Sequence, residues 1–183
     1  EAYNNMGNTL RDAGRLEDAV SSYADAINLE GEFAEAYVNL GNALRGFRFN
    51  DADRSLYQIL TNLLITGNFV RPRDVAPAIL SLLRLDDLIE DLLVSRQTLT
   101  DMKEVDRVIR ALAEVPLLHQ LMRICPLPDL QLEELLVSIR RVLLINLGNV
   151  DVSPALTYFL TTLSLQCFTN EYVYFETEAE ATL

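Results

Sequence analysis

Four asparagines carry the clearest chemical signal in this 183-residue chain. Asn5 and Asn8 stand three residues apart, and Asn39 and Asn42 repeat the pair 34 positions later. A primary amide holds donors and an acceptor side by side, so it can pair with a peptide backbone as another backbone would. At i, i+3 on a helix two amides share a face. Repetition at a fixed period turns them into a ladder that grips an extended chain with little regard for its side chains. Each hydrogen bond would contribute a net of about 0.5–1.5 kcal/mol, so two pairs grip weakly. Asparagine is a mediocre helix former, and its double placement argues for a use. That use could instead be internal, tying neighbouring turns and repeats together. Asp12 and Arg45 flank the same expected face, with Glu1, Arg11 and Glu35, where charge would bias the choice of partner. The expected peptide-binding groove is therefore Asn5, Asn8, Asp12, Asn39, Asn42 and Arg45.

The other reactive residue types lead to plainer readings. His119 is the only histidine, on a short leucine-rich stretch with no nucleophile or carboxylate placed beside it by the sequence. It reads as a packed or half-exposed residue. Cys125 and Cys167 lack CxxC spacing and, with one histidine, make a poor zinc site, which wants four ligands at defined intervals. Both read as core thiols kept free in a reducing compartment, which points to a cytoplasmic location. Asp86, Asp87, Glu90 and Asp91 could attract a metal or a basic partner, but a solvated helix face is the commoner origin of such a cluster. No catalytic, metal-binding or cofactor-binding residue is expected, and no cofactor.

Charge and hydropathy narrow the partners. A net charge of −12 works against nucleic acid, whose phosphates need a basic surface. No apolar run reaches the roughly 18 residues that span a bilayer, so no membrane segment is expected. A protein or peptide partner remains.

The elements that must position the asparagines come from the same repetition. Residues 1–11 recur as residues 35–45 with eight of eleven positions identical. Tyr3, Met6, Gly7 and Leu10 fall at i, i+3, i+4 and i+7, the stripe of an amphipathic helix. Gly14 suits a left-handed helix end, and Ala19, Tyr23 and Ala26 give the second helix a small-large-small row for nesting on the first. Tyr37, Leu40, Gly41 and Leu44 repeat the first stripe, and a more apolar helix is expected over about residues 52–65. A helix-turn-helix unit of this period and pattern resembles the tetratricopeptide repeat (TPR). Gly31 departs from it, standing where proline usually closes the repeat. The paired asparagines resemble the ladder of TPR-containing O-linked N-acetylglucosamine transferases. They do not resemble the lysine-rich carboxylate clamp of chaperone-tail receptors, because Asn4 and Val38 occupy the clamp's first lysine position.

From Phe69 onward the period is lost. Asp74 is expected to cap a helix with Pro77 in its first turn, and a break is expected near Asp86-Asp87. Thr98 or Thr100 should cap a helix carrying Val105, Val108, Ile109 and Leu112. Pro116 should open a short helix, Asp129 a long one ended by Gly148-Asn149, and Ser153-Pro154 the last long one. Thr177 to Glu180 has capping-box spacing for a further helix. Residues 70–180, above all Gln166-Cys167-Phe168-Thr169-Asn170-Glu171-Tyr172-Val173-Tyr174, resemble a helical connector found in bacterial TPR proteins. Those proteins continue into a class I S-adenosylmethionine-dependent methyltransferase domain. The resemblance implies such a domain downstream, while this chain has neither Asp-x-Gly-x-Gly nor Gly-x-Gly-x-x-Gly to hold the cofactor. Asn170-Glu171-Tyr172 would then either fix the docking of the next domain or form a plain surface turn.

The expected architecture is all-α: TPR hairpins of an α-solenoid over 1–66, the second degenerate, then an irregular helical domain over 67–183, truncated at its C-terminal end. The expected function is a non-catalytic scaffold that binds an extended peptide. The alternatives are the N-terminal or regulatory part of a TPR-containing methyltransferase whose catalytic domain lies beyond residue 183, and a purely structural module that oligomerises through its acidic surfaces.

Overall fold

In the computed structural model residues 1–95, 99–146 and 153–169 are described, and they form ten α-helices with no strand among them. The fold is all-α. Cα proximity divides it into two compact units, Glu1–Leu85 and a second from Asp86 onward.

The first unit starts as the repetition predicts. Helix α1 (Ala2–Asp12) and α2 (Leu16–Leu29) form a hairpin, and α3 (Ala34–Leu44) packs on both. Gly14, at φ +78°, closes α1: its N–H reaches the Arg11 carbonyl at 2.9 Å, and the Arg15 N–H reaches Leu10 O at 2.9 Å. These are the two bonds of a Schellman motif, which an L side chain at Gly14 would strain. Gly7 lets the hairpin close, because a Cβ there would sit 2.5 Å from the ring of the fully buried Tyr23. Ala19 and Ala26 are buried beside it.

The two copies of the apolar stripe meet different surroundings. Tyr37 and Leu40 are 3% and 0% exposed, whereas their equivalents Tyr3 and Met6 are 40% and 47% exposed. Helix α3 packs against both α1 and α2, and no described helix lies over Tyr3 and Met6 in the same way.

The second hairpin departs from expectation. Helix α4 begins only at Leu56 (Leu56–Thr66), because Asp53 Oδ1 accepts from the Ser55 N–H at 2.9 Å and from the Ser55 hydroxyl at 2.5 Å, a local turn that competes with helix. The stretch before it lies on α5 (Pro72–Leu83): the Phe49 N–H donates to Ser81 Oγ at 3.0 Å and Arg48 Nη1 to Pro77 O at 3.3 Å. Phe47 and Phe49 are buried edge to face at 4.9 Å. Asp74 is not the cap of α5. Arg71 holds that place with Pro72 at the first position, so Pro77 falls inside the helix. Helix α5 packs on α3, and Val70 sits where a Cβ on Gly41 would go. Cα proximity groups α5 with the first unit, up to Leu85, where the sequence reading draws its domain boundary after residue 66.

In the second unit α6 (Asp87–Ser95) is capped by Asp86, whose Oδ1 accepts from the Leu88 N–H at 3.0 Å. Asp86 is buried, so it leaves the solvated acidic face to Asp87, Glu90 and Asp91. Helix α7 (Met102–Ala113) is capped by Asp101 rather than Thr100; its Oδ1 accepts from Lys103 N at 2.8 Å and Glu104 N at 3.0 Å. Helix α8 (Pro116–Ile124) opens at Pro116, and α9 (Leu130–Ile145) is capped by Asp129. In α10 (Pro154–Thr169) the Leu156 N–H donates to Ser153 Oγ at 3.1 Å. Helix α10 packs on α7 and α8, α7 also on α8 and α9, and α6 on α7 and α9. Val105, Val108, Ile109 and Leu112 are buried together with Phe159 and Leu163. Each such side chain stabilises by about 1.5–3 kcal/mol over its exposed state. Thr98, Gly148-Asn149, Asn170-Glu171-Tyr172 and the box at Thr177 to Glu180 lie outside the described residues.

Candidate functional site

Helices α1 and α3 lie side by side, joined by a relay of amides. Asn39 Nδ2 donates to Asn4 Oδ1 at 3.0 Å, and Asn4 Nδ2 donates to Glu35 Oε1 at 3.0 Å. Asn4 is only 2% exposed. A buried amide must find partners for both its ends, and these two bonds supply one for each. Asn4 is the residue that the repeat pattern misses. Its signal was one of the three differences between the copies, Asn4 against Val38, together with its place one turn before Gly7 on the buried side of α1.

The four repeated asparagines split. Asn5 and Asn42 are exposed, and their side chains make no hydrogen bond among the described residues. Asn8 is half-buried and accepts from the Tyr23 hydroxyl at 2.9 Å. Burial is the main cause holding the Tyr23 phenol above its ordinary pKa; the Asp12 carboxylate adds to it and the Arg11 charge opposes it, so the phenol stays a donor. Asn39 spends its N–H on Asn4 and keeps its carbonyl oxygen. Equivalent positions thus differ in role. In the register that matches Arg48 to Ala52 with Arg15 to Ala19, Leu56 stands where Tyr23 does, and no hydroxyl reaches Asn42 from there.

The flanking charges are differently committed. Asp12 is exposed and pairs with its neighbour Arg11 at 3.1 Å, a surface contact worth about 0–1 kcal/mol that leaves the carboxylate accessible. Arg45 Nη2 lies 3.6 Å from Asp74 Oδ2, which draws it toward α5.

The remaining candidates sit in the second unit. His119 is buried, its Nδ1 3.3 Å from Thr162 Oγ1, with Tyr158 and Phe159 rings at 4.8 and 6.2 Å. The Thr162 hydroxyl donates to Tyr158 O at 3.0 Å, which leaves its oxygen to accept from His119 when the ring proton is on Nδ1. Nε2 is buried with no hydrogen-bonding partner. Burial lowers the His119 pKa; the Leu112 carbonyl opposes that and the Arg123 charge reinforces it. Cys125 is buried, its Sγ 3.6 Å from Leu121 O, and burial pushes the thiol up to about 11. Cys167 is half-buried and free. Among the described residues no three His, Cys, Asp or Glu side chains gather as a metal site, and no helix is long and apolar enough to cross a membrane.

Residues 1–45 match the family model of the TPR repeat. The match covers the α1–α2 hairpin and α3, the elements that carry all four asparagines. TPR repeats generally mediate protein–protein interactions. Neither the curated proteins nor the solved structures contain a match to the chain.

Proposed function

We propose that this chain is a protein-interaction module whose α1–α3 face holds an extended peptide segment by its backbone. Supporting it is the pair of exposed amides, Asn5 and Asn42, without a hydrogen bond among the described residues, on two helices locked together through Asn39 and Asn4. Asn8 adds its N–H donors and Asn39 its carbonyl oxygen, while Asp12 and Arg45 stand at the edges as charge selectors. The free thiols Cys125 and Cys167 suit a cytoplasmic setting. A peptide-array screen followed by calorimetry on the best binder tests this reading. Asn5→Ala with Asn42→Ala removes two hydrogen-bonding groups and should weaken binding about tenfold. Unchanged affinity would remove the asparagine face from the proposal.

A second reading places the module beside a catalytic domain, on the likeness of residues 166–174 to the methyltransferase connector. The chain would then present a protein substrate to a neighbouring domain for methyl transfer, with no chemical step on its own residues. Titration with S-adenosylmethionine separates this from a cofactor site within the chain: micromolar binding would contradict the recruiting role.

A further inference from the structure

A cavity of about 380 Å³ opens in the first unit between the α2–α3 connection and the end of α4. Tyr37 and Phe69 line it, stacked at 5.3 Å and 5° from parallel. Tyr37 is 3% exposed, and its hydroxyl has no hydrogen-bond partner among the described residues. The hydroxyl oxygen is left accessible where Tyr37 lines the cavity, so a ligand or water there can pair with it. Asn62 adds a carbonyl oxygen that now accepts only from Gln58, at 3.0 Å, and the exposed Glu32 carboxylate stands at the rim. No cation lines the cavity, and residues 16–44, which bring Glu32 and Tyr37 to it, contain six acidic residues and no basic one.

We propose that this cavity receives the guanidinium of an arginine side chain from a polypeptide partner. A planar, weakly hydrated cation stacks on aromatic rings, and its forked donors suit acceptors at different depths. Here those acceptors are the Tyr37 oxygen, the Asn62 carbonyl and the Glu32 carboxylate. An anion would meet acidic surroundings, and an apolar side chain would leave the Tyr37 hydroxyl unpaired. The site is separate from the asparagine face: Tyr37 precedes Asn39 by two residues, about 200° around α3. It rests on the protein-interaction reading only in that the arginine belongs to a polypeptide.

The test is calorimetry on the full chain with three capped tripeptides, Gly-Arg-Gly and its lysine and citrulline analogues. The arginine peptide should bind, the neutral citrulline analogue about tenfold more weakly and lysine between them. Glu32→Gln should weaken the arginine peptide about two- to fivefold, the scale of an exposed charge pair. Gly31→Leu should block it: Gly31 lines the cavity, its backbone is outside the left-handed region and a Cβ there meets nothing within 4 Å, so the variant should fold. Asn42→Ala should leave binding unchanged. Equal binding of citrulline or lysine, or full affinity in both Glu32→Gln and Gly31→Leu, would overturn the proposal. So would loss in Asn42→Ala alone, which would move the arginine to the asparagine face and leave the interaction reading standing.

Discussion

Asn39 and Asn42 stand nearly one turn apart on α3, yet truncation removes different things from each. Asn39→Ala strands the carbonyl oxygen of the buried Asn4, whose donor is the Asn39 amide. Leaving a buried acceptor unsatisfied costs about 1–3 kcal/mol. Asn42→Ala removes an exposed side chain with no internal bond and should stay within about 0.5 kcal/mol. Urea denaturation of the two variants checks this, and equal losses would mean that Asn4 finds another donor. The ladder reading and the structural reading of the asparagines therefore divide by residue, with Asn42 and Asn5 on one side and Asn39 largely on the other. Spacing shows which amides repeat. It cannot show that Asn4 is buried between helices, because that depends on how α3 approaches α1.

His119 gives the residue scale its pH dependence. The folded chain holds the imidazole neutral and below its ordinary value near 6.5, while the unfolded chain protonates it freely. Below 6.5 the unfolded state binds more protons, so stability falls as pH falls, by at most about 1.4 kcal/mol per pH unit from this group. Its contribution is complete above 6.5 and is lost toward the lowered folded pKa. His119→Leu keeps the Thr162 bond to Tyr158 O and should flatten the urea-midpoint profile between pH 7.5 and 5.5. Identical slopes in both proteins would assign the dependence elsewhere.

At the scale of elements, small residues decide how closely the helices of the first unit pack. Gly7→Ala drives a methyl group into the ring of Tyr23, which has no free side to retreat to and anchors Asn8 through its hydroxyl. Overpacking of this kind costs about 1–3 kcal/mol. Gly14→Ala meets nothing within 4 Å and carries only the strain of φ +78°, about 1–2 kcal/mol for an L residue. The two should differ in kind under thermal denaturation. A second substitution, Tyr23→Leu, should recover part of the Gly7→Ala loss and none of the Gly14→Ala loss.

The same division explains which elements were legible. Pro116, Asp129 and Ser153 mark helix starts through local chemistry, and the row from Val105 to Leu112 follows helical period, so the structure repeats them. The late start of α4 and the interior Pro77 were not legible. They follow from Phe49 bonding Ser81 and Arg48 bonding Pro77 O, contacts about 30 residues apart in the chain.

For the molecule as a whole, the division after Leu85 makes α5 part of the unit whose first 45 residues match the TPR model. Helix α5 supplies Val75, Ile79, Leu82 and Leu83 to the buried core, Ser81 to Phe49 and Asp74 to Arg45, and Val70 just before it packs on Gly41. At about 1.5–3 kcal/mol for each buried aliphatic side chain, the loss of these contacts is comparable to the 5–15 kcal/mol that stabilise an ordinary domain. A fragment ending at Leu85 should therefore melt cooperatively with a helical circular dichroism spectrum. One ending at Gly67, which keeps every repeated residue, should lose that transition and expose α3. If the shorter fragment melts as the longer one does, the repeats are self-sufficient and the unit ends where the 34-residue period ends. If only the longer one folds, the amide-bearing face depends on a helix that the repeat pattern never announced.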